Sequence, residues 1–243
     1  MDIQNCKILS NEKIAKNTYK MVLECNTKSI TKPGQFINIT LQDFYLRRPI
    51  SVCDYDANSI TIIYKILGQG TKSMASLTPD IILNCMIGLG NGFDITKSDK
   101  NPIIIGGGVG VPPLYRLAKE LVKIGISPKV LLGFNIGEEV FLANEFSALG
   151  CEVLVATADG SIGHKGFVTE LLDGIEYDYF FTCGPLAMLK AVCNMTISDG
   201  QISLEERMGC GFGACMGCSI MTHSGAKRIC KEGPVFEKKE LIW

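Results

Sequence analysis

Near Asn101-Pro102 the pattern of apolar residues in this chain changes period, and no single packed layer satisfies both halves. Before that point, short β-branched runs recur: YKMVLEC (19–25), QFINITL (35–41), PISVC (49–53), SITIIYKIL (59–67) and DIILNCMIG (80–88). Turn signals such as Pro33-Gly34 and Asp56-Ala57-Asn58 separate them. This half predicts an antiparallel barrel or sandwich with one short helix over Gly70–Leu77. After the change, strands alternate with stretches of helical spacing. PIIIGG precedes LYRLAKELVKIG, in which Leu114, Leu117, Leu121 and Ile124 share a face. KVLLGF precedes EEVFLANEFSAL, CEVLVAT precedes FVTELL, and YDYFFTC precedes PLAMLKAVCNM. Such alternation predicts a mostly parallel, doubly wound α/β sheet over 102–197. From about residue 200 neither pattern holds. A length of 243 residues suits two domains and a small terminal segment, divided at 1–100, 101–199 and 200–243.

That terminal segment holds the densest chemistry. MGCGFGACMGCS (208–219) places Cys210, Cys215 and Cys218 among Gly209, Gly211, Gly213 and Gly217, and Cys230 follows. The spacing of cysteine, four residues, cysteine, two residues, cysteine is that of plant-type ligands to a 2Fe–2S cluster. Glycines let a loop take positive φ angles and bring backbone N–H groups close to sulfur. A four-thiolate zinc site is the alternative, although such sites pair two short knuckles and only one is present here. Structural thiols are a third reading. The other seven of the eleven cysteines (Cys6, Cys25, Cys53, Cys85, Cys151, Cys183, Cys193) sit in apolar runs and read as small buried hydrophobes.

Two further regions suggest nucleotide chemistry. In Arg47-Arg48-Pro49-Ile50-Ser51, Arg48 offers a bidentate partner for a pyrophosphate and Ser51 a hydroxyl for a flavin. Downstream, Ile63, Tyr64 and Lys65 offer an aromatic face and a cation, and Gly70-Thr71 opens a helix whose N-terminus attracts phosphate. Gly106-Gly107-Gly108-Val109-Gly110-Val111-Pro112-Pro113 follows a strand and opens a helix. It departs from the strict dinucleotide fingerprint, since proline stands where the last glycine belongs. A tight strand-to-helix turn alone calls for one or two glycines rather than four. Cys183-Gly184-Pro185 repeats the strand–glycine–proline–helix arrangement and should line the same sheet edge. After KVLLGF, Glu138-Glu139 would repel a 2′-phosphate and favour NAD over NADP, or these acids simply start the next helix.

Taken in this order, the motifs resemble the ferredoxin reductase superfamily. Arg48-Pro49-Ile50-Ser51 is similar to its flavin motif, Gly106–Pro113 to its Gly-Gly-Gly-x-Gly-x-x-Pro motif, and Cys183-Gly184-Pro185 to its late Cys-Gly-Pro. A cysteine segment opening with Leu204-Glu205-Glu206-Arg207-Met208 narrows the resemblance to electron-transfer subunits of class B dihydroorotate dehydrogenases. The resemblance implies a flavin-binding barrel carrying FAD, an NAD-binding α/β domain, and one 2Fe–2S cluster on Cys210, Cys215, Cys218 and Cys230. It also implies a separate FMN-containing, PyrD-type catalytic subunit, two copies of each chain forming a heterotetramer. That partner would oxidise dihydroorotate in pyrimidine biosynthesis and pass electrons through the cluster and FAD to NAD⁺. Small subunits of ferredoxin–NADP oxidoreductase (sulfide dehydrogenase) and hydrogenase-associated subunits carry similar stretches and remain alternatives.

Composition narrows the classes further. A net charge of −1 gives no basic field for nucleic acid or anionic lipid. No apolar run approaches bilayer length and the N-terminus lacks a signal-peptide core, so a cytoplasmic location is expected. Only two histidines occur, His164 and His223, both expected at the surface. No general base or nucleophile motif for an organic substrate is visible, which points to carriers on this chain and substrate chemistry on another. A zinc-bearing nucleotide-binding module without enzymatic activity is the alternative from another class.

Overall fold

The computed structural model describes residues 1–243. Six strands close an antiparallel barrel: β1 (Asp2–Ala15), β2 (Thr18–Glu24), β3 (Phe36–Ile39), β4 (Arg48–Tyr55), β5 (Ser59–Lys65) and β6 (Ile82–Leu89). Their order is β1-β2-β5-β4-β3-β6. β1 closes the ring, pairing with β6 from Asp2↔Ile87 to Lys7↔Ile82 and with β2 from Lys7↔Glu24 to Ala15↔Thr18. This strand is absent from the sequence reading because only Cys6 and Ile8 along it are buried, too few to show alternation. Inside, Met21, Leu23, Ile37, Ile39, Ile60 and Ile62 pack into one core. The expected short helix is α1 (Gln69–Ala75).

The second half forms a seven-stranded sheet. Its first strands are β7 (Pro102–Gly107), β8 (Lys129–Phe134), β9 (Glu152–Thr157), β10 (His164–Lys165), β11 (Tyr179–Cys183) and β12 (Gly200–Ser203), all parallel to their neighbours. Helices cover both faces. Leu114, Leu117 and Leu121 of α2 (Pro112–Lys123) and Phe146 of α3 (Ala143–Ala148) pack on Ile104, Val130 and Phe181. Leu189 and Val192 of α4 (Leu186–Met195) pack on Ile103, Ile105 and Leu131 on the opposite face. After β12 come a hairpin, β13 (Ser219–Thr222) with β14 (Gly225–Arg228), and β15 (Val235–Glu237), which returns antiparallel to β12 and completes the order β10-β9-β8-β7-β11-β12-β15.

Two segments depart from expectation. EEVFLANEFSAL is not one helix: a 3₁₀ turn at Gly137–Glu139 is separated from α3 by Val140–Leu142, and Leu142 sits at φ 63°. Burial of Phe141 and Leu142 in the core wins over helical continuity. The tail after residue 200 is also not wholly irregular, since β12 and β15 extend the sheet and the cysteine segment is looped out between them.

The barrel is tied to the sheet domain by packing and charge. Cys53 and Ile63 point outward from the barrel into the core shared with α2. Asp54 accepts from Arg116 at 3.1 Å and from Lys119 at 2.6 Å, and the Arg116 guanidinium lies 3.9 Å from the Tyr55 ring centre.

Candidate functional site

Strand geometry gathers most of the flavin candidates around one cleft of about 910 Å³, counting the space that opens to solvent. Arg48, Pro49, Ile50 and Ser51 enter it from β4, Ile63, Tyr64 and Lys65 from β5, and Thr71 from α1. Arg48 packs its guanidinium 4.5 Å from the Phe44 ring centre and donates to the Leu46 carbonyl. Gly70 leaves room for it, since a Cβ there would lie 2.1 Å from Arg48 Nε and displace the guanidinium. Arg47, the adjacent arginine, turns away and braces the barrel, donating to the Asn84 side chain at 2.7 Å and to the Asn38 and Asn84 carbonyls. The Thr71 hydroxyl accepts from the Leu67 N–H at 2.9 Å and so closes the start of α1.

Two side chains face elsewhere than the sequence suggests. The Tyr64 ring is in the barrel core, stacked 5.9 Å from Tyr19, and its hydroxyl donates to Asn11 at 2.8 Å. Strand alternation forces this, since Ile60, Ile62 and Tyr64 share the inner face of β5. Burial pushes the Tyr64 phenol up to about 12. It is therefore Tyr64 as part of the cleft wall, not its aromatic face, that borders the cleft. Lys65 binds Glu139 at 2.5 Å across the domain boundary.

The acids read as a nucleotide discriminator belong to the same boundary. Glu138 pairs with Lys16 at 2.9 Å and accepts the Lys16 backbone N–H at 2.8 Å through its carbonyl; Glu139 pairs with Lys65 and with Asn135. Neither starts a long helix and neither stands as a bare carboxylate.

The glycine loops lie at the C-terminal edge of the sheet, where β7 and β11 are neighbours. A Cβ at Gly106 would press on Leu114 and Val111, one at Gly107 would lie 2.4 Å from Met188 Sδ, and one at Gly110 would lie 2.4 Å from the Gly184 nitrogen. Of these three, Gly110 is thus demanded by the protein's own packing, because it abuts the Cys183–Gly184 backbone, whereas Gly106 and Gly107 abut side chains that can give. Only Gly108, at φ +50°, faces open space. Beside it, Val109 reaches the cleft lined by Arg48–Ser51. The Cys183 thiol is fully buried, and burial raises its pKa, so it offers no nucleophile; Gly184 and Pro185 form the turn that follows.

Sequence reasoning missed the far wall. Phe36, Leu67, Ser203, Leu204, Glu205 and Glu206 line the same cleft, together with Met208 and Pro234. Glu205 lines the cleft with its residue exposed to solvent, and the protein crowded around its carboxyl raises the pKa. The only signal for this wall is the run Leu204–Met208.

Backbone N–H groups are aimed at two of the four clustered sulfurs: Cys210 Sγ accepts from Ala214 at 3.2 Å and from Cys215 at 3.4 Å, and Cys218 Sγ accepts from Cys230 at 3.4 Å. No three His, Cys, Asp or Glu side chains are set to hold one metal ion. Burial pushes the Cys210 thiol up, but donation from the Cys215, Phe212 and Ala214 N–H groups outweighs it and brings the thiol down to about 6. Burial, and then the neighbouring Cys218, push Cys230 up to about 12. Asn38 of β3 ties the loop to the barrel by donating to the Cys210 carbonyl at 3.3 Å. Gly211 must lack a side chain, since a Cβ would lie 2.4 Å from Asn38 Nδ2. Cys218 and Cys230 pack with barrel residues Phe36 and Leu89, whereas Cys215 is exposed. The other seven cysteines are free and buried as expected, and His164 and His223 are exposed.

Residues 205–242 match the family described as the iron-sulfur cluster binding domain of dihydroorotate dehydrogenase B. Over the full length, the chain is 43% identical to the dihydroorotate dehydrogenase B (NAD(+)) electron transfer subunit of Fusobacterium nucleatum, covering 97% of both chains. The chain belongs to this family of electron transfer subunits. The subunit of the same name from Bacillus mycoides is 40% identical, covering all of this chain and 99% of that one. Among solved structures, a chain of the NADH-dependent reduced ferredoxin-NADP oxidoreductase superposes with a TM-score of 0.89 at 28% identity, covering 99% of this chain and 90% of that one. Phthalate dioxygenase reductase, at TM-score 0.68 and 21% identity over 79% of this chain and 64% of that one, shares the fold. The ferredoxin reductase architecture expected for an electron transfer subunit is therefore present, with the cysteine segment looped out of its sheet. No helix is long and apolar enough to cross a membrane.

Proposed function

We propose that this chain binds FAD, NAD and one 2Fe–2S cluster, and carries electrons from dihydroorotate, oxidised on an FMN-containing partner chain, to NAD⁺ in the cytoplasm. The single observation that carries this reading is the cleft where Arg48–Ser51, Val109 and Ser203–Met208 meet, which joins the barrel, the glycine loop and the cysteine segment. Residues 1–100 would hold FAD, with Arg48 against the pyrophosphate and Ile50, Ser51 and Ile63 beside the ring system. Residues 101–199, with the strands added by the tail, would hold NAD at Gly108 and Gly184-Pro185. The segment 200–243 would hold the cluster. Its thiols fit: the loop brings backbone N–H groups to the Cys210 and Cys218 sulfurs, as the thiolates of an iron–sulfur cluster require. Bound in the cleft, a flavin supplies the exchange between electron pairs and single electrons that joins a nicotinamide to an iron–sulfur cluster.

The protein's own groups then have defined tasks. Arg48 neutralises phosphate, the backbone around Gly108 leaves room for a dinucleotide, and the Leu204–Met208 run shields the cleft from bulk water. The exposed face around Cys215, with Phe212 and Met216, suits docking of the catalytic chain, two copies of each forming the complex. The test is reconstitution. Dihydroorotate should reduce NAD⁺ only when the catalytic chain is added, and NADH should reduce a dye without it. Dihydroorotate oxidation by this chain alone, or no coupling in the complex, would overturn the reading. The likeness to the ferredoxin–NADP oxidoreductase chain favours a second reading, a small subunit of that kind, which the same experiment would reveal through failed coupling.

A further inference from the structure

The peptide unit joining Gly213 to Ala214 is gripped from both sides. Its C=O accepts from Arg228 Nη1 at 2.5 Å, and its N–H donates to Cys210 Sγ at 3.2 Å. The next N–H, from Cys215, reaches the same sulfur at 3.4 Å. In a trans peptide the C=O and N–H point in opposite directions, so a guanidinium that fixes one aims the other. Arg228 is itself fixed. Its Nε donates to Glu232 at 3.0 Å, its Nη2 donates to the second carboxylate oxygen, and its own backbone N–H donates to Glu232 at 2.7 Å. Gly213 sits at φ +93° beneath Lys231, where a Cβ would lie 2.7 Å from Lys231 Cδ, so only glycine presents its carbonyl this way.

We infer that Arg228, balanced by Glu232, is a positioning residue that aims and polarises the Gly213–Ala214 N–H toward the Cys210 sulfur and thereby sets the reduction potential of the cluster. The inference rests on the reading that Cys210, Cys215, Cys218 and Cys230 hold a 2Fe–2S cluster. Reduction adds a negative charge to such a cluster. A donated N–H and a nearby cation both stabilise that charge and raise the potential, and a carboxylate beside the cation offsets part of the effect.

The test is a potentiometric titration of the purified holoprotein, followed by the paramagnetic signal of the reduced cluster, with iron and labile sulfide measured in every sample. Arg228→Met should lower the midpoint potential, Arg228→Lys should fall between it and the parent, and Glu232→Gln should raise it. A merely structural role would move the Met and Gln variants in the same direction. That result overturns the inference, as does an unchanged potential in both at full iron content. If Arg228→Met loses its cluster, Glu232→Gln decides: a rise supports the inference and no rise overturns it. A parent protein without iron and sulfide overturns the cluster reading and the inference together, whereas a loaded parent with unmoved variants overturns the inference alone.

Discussion

Arg48 and Tyr64 border the same cleft, yet only Arg48 turns its polar end outward, and substitutions should separate them. Arg48→Ala should cost the protein its bound flavin, because a charge-assisted hydrogen bond contributes about 1.5–3 kcal/mol. Flavin retained in full after dialysis would contradict that role. Tyr64→Phe should leave flavin content unchanged and lower stability by about 1 kcal/mol, since it removes only the bond to Asn11; a urea titration and a flavin assay measure both. Cys230→Ser should deplete iron and labile sulfide with FAD retained, and unchanged iron would remove Cys230 from the ligand set. The chemistry of Arg48 was legible from residue type and order alone. The orientation of Tyr64 was not, because a run of three apolar residues before it, Ile60 to Ile63 broken only by Thr61, hides which face of β5 is inside. Arg228 was invisible as well, since its partner Gly213 lies 15 residues away and meets it only in the folded loop.

At the level of elements, the boundary between barrel and sheet rests on long side chains that a sequence pattern treats as ordinary surface. Glu139 shows the consequence. Burial alone would raise its carboxyl, but pairing with Lys65 outweighs burial and lowers it below the ordinary value of 4.5. A carboxylate depressed in the folded state contributes stability above its unfolded value and loses it as pH falls through the folded value. Glu139→Gln should therefore destabilise the protein by about 1–3 kcal/mol at neutral pH. The gap between variant and parent urea midpoints should shrink as pH falls below 4.5. A gap independent of pH would show that the Lys65 pair does not act through charge. Strands with β-branched runs and helices with a clear apolar stripe, such as α2, were legible because one period dominates each. β1 and α3 were not. β1 buries too few residues to show alternation, and α3 is shortened because Phe141 and Leu142 are drawn into the core.

For the whole molecule, the expected order of barrel, sheet and cysteine segment was legible, but the return of β15 to the sheet was not, because pairing with β12 joins segments separated by the entire cysteine loop. That return places Leu204, Met208 and Pro234 on the same cleft as Arg48. Nucleotide preference is also a property of the assembled molecule. With Glu138 and Glu139 paired to lysines, discrimination against a 2′-phosphate cannot rest on two bare acids. NADH should still be preferred over NADPH by at least about tenfold, roughly 1.4 kcal/mol, because the turn after β8 carries no cation of its own and the lysines that reach it, Lys16 and Lys65, are already paired with Glu138 and Glu139. Equal rates with a dye acceptor would contradict this. The most direct test of the account is the cofactor content of the purified chain, read from its visible spectrum with iron, sulfide and flavin analysis. About two irons, about two labile sulfides and about one FAD per chain are predicted, with both chromophores bleached by NADH. A colourless protein containing zinc and no flavin would contradict it.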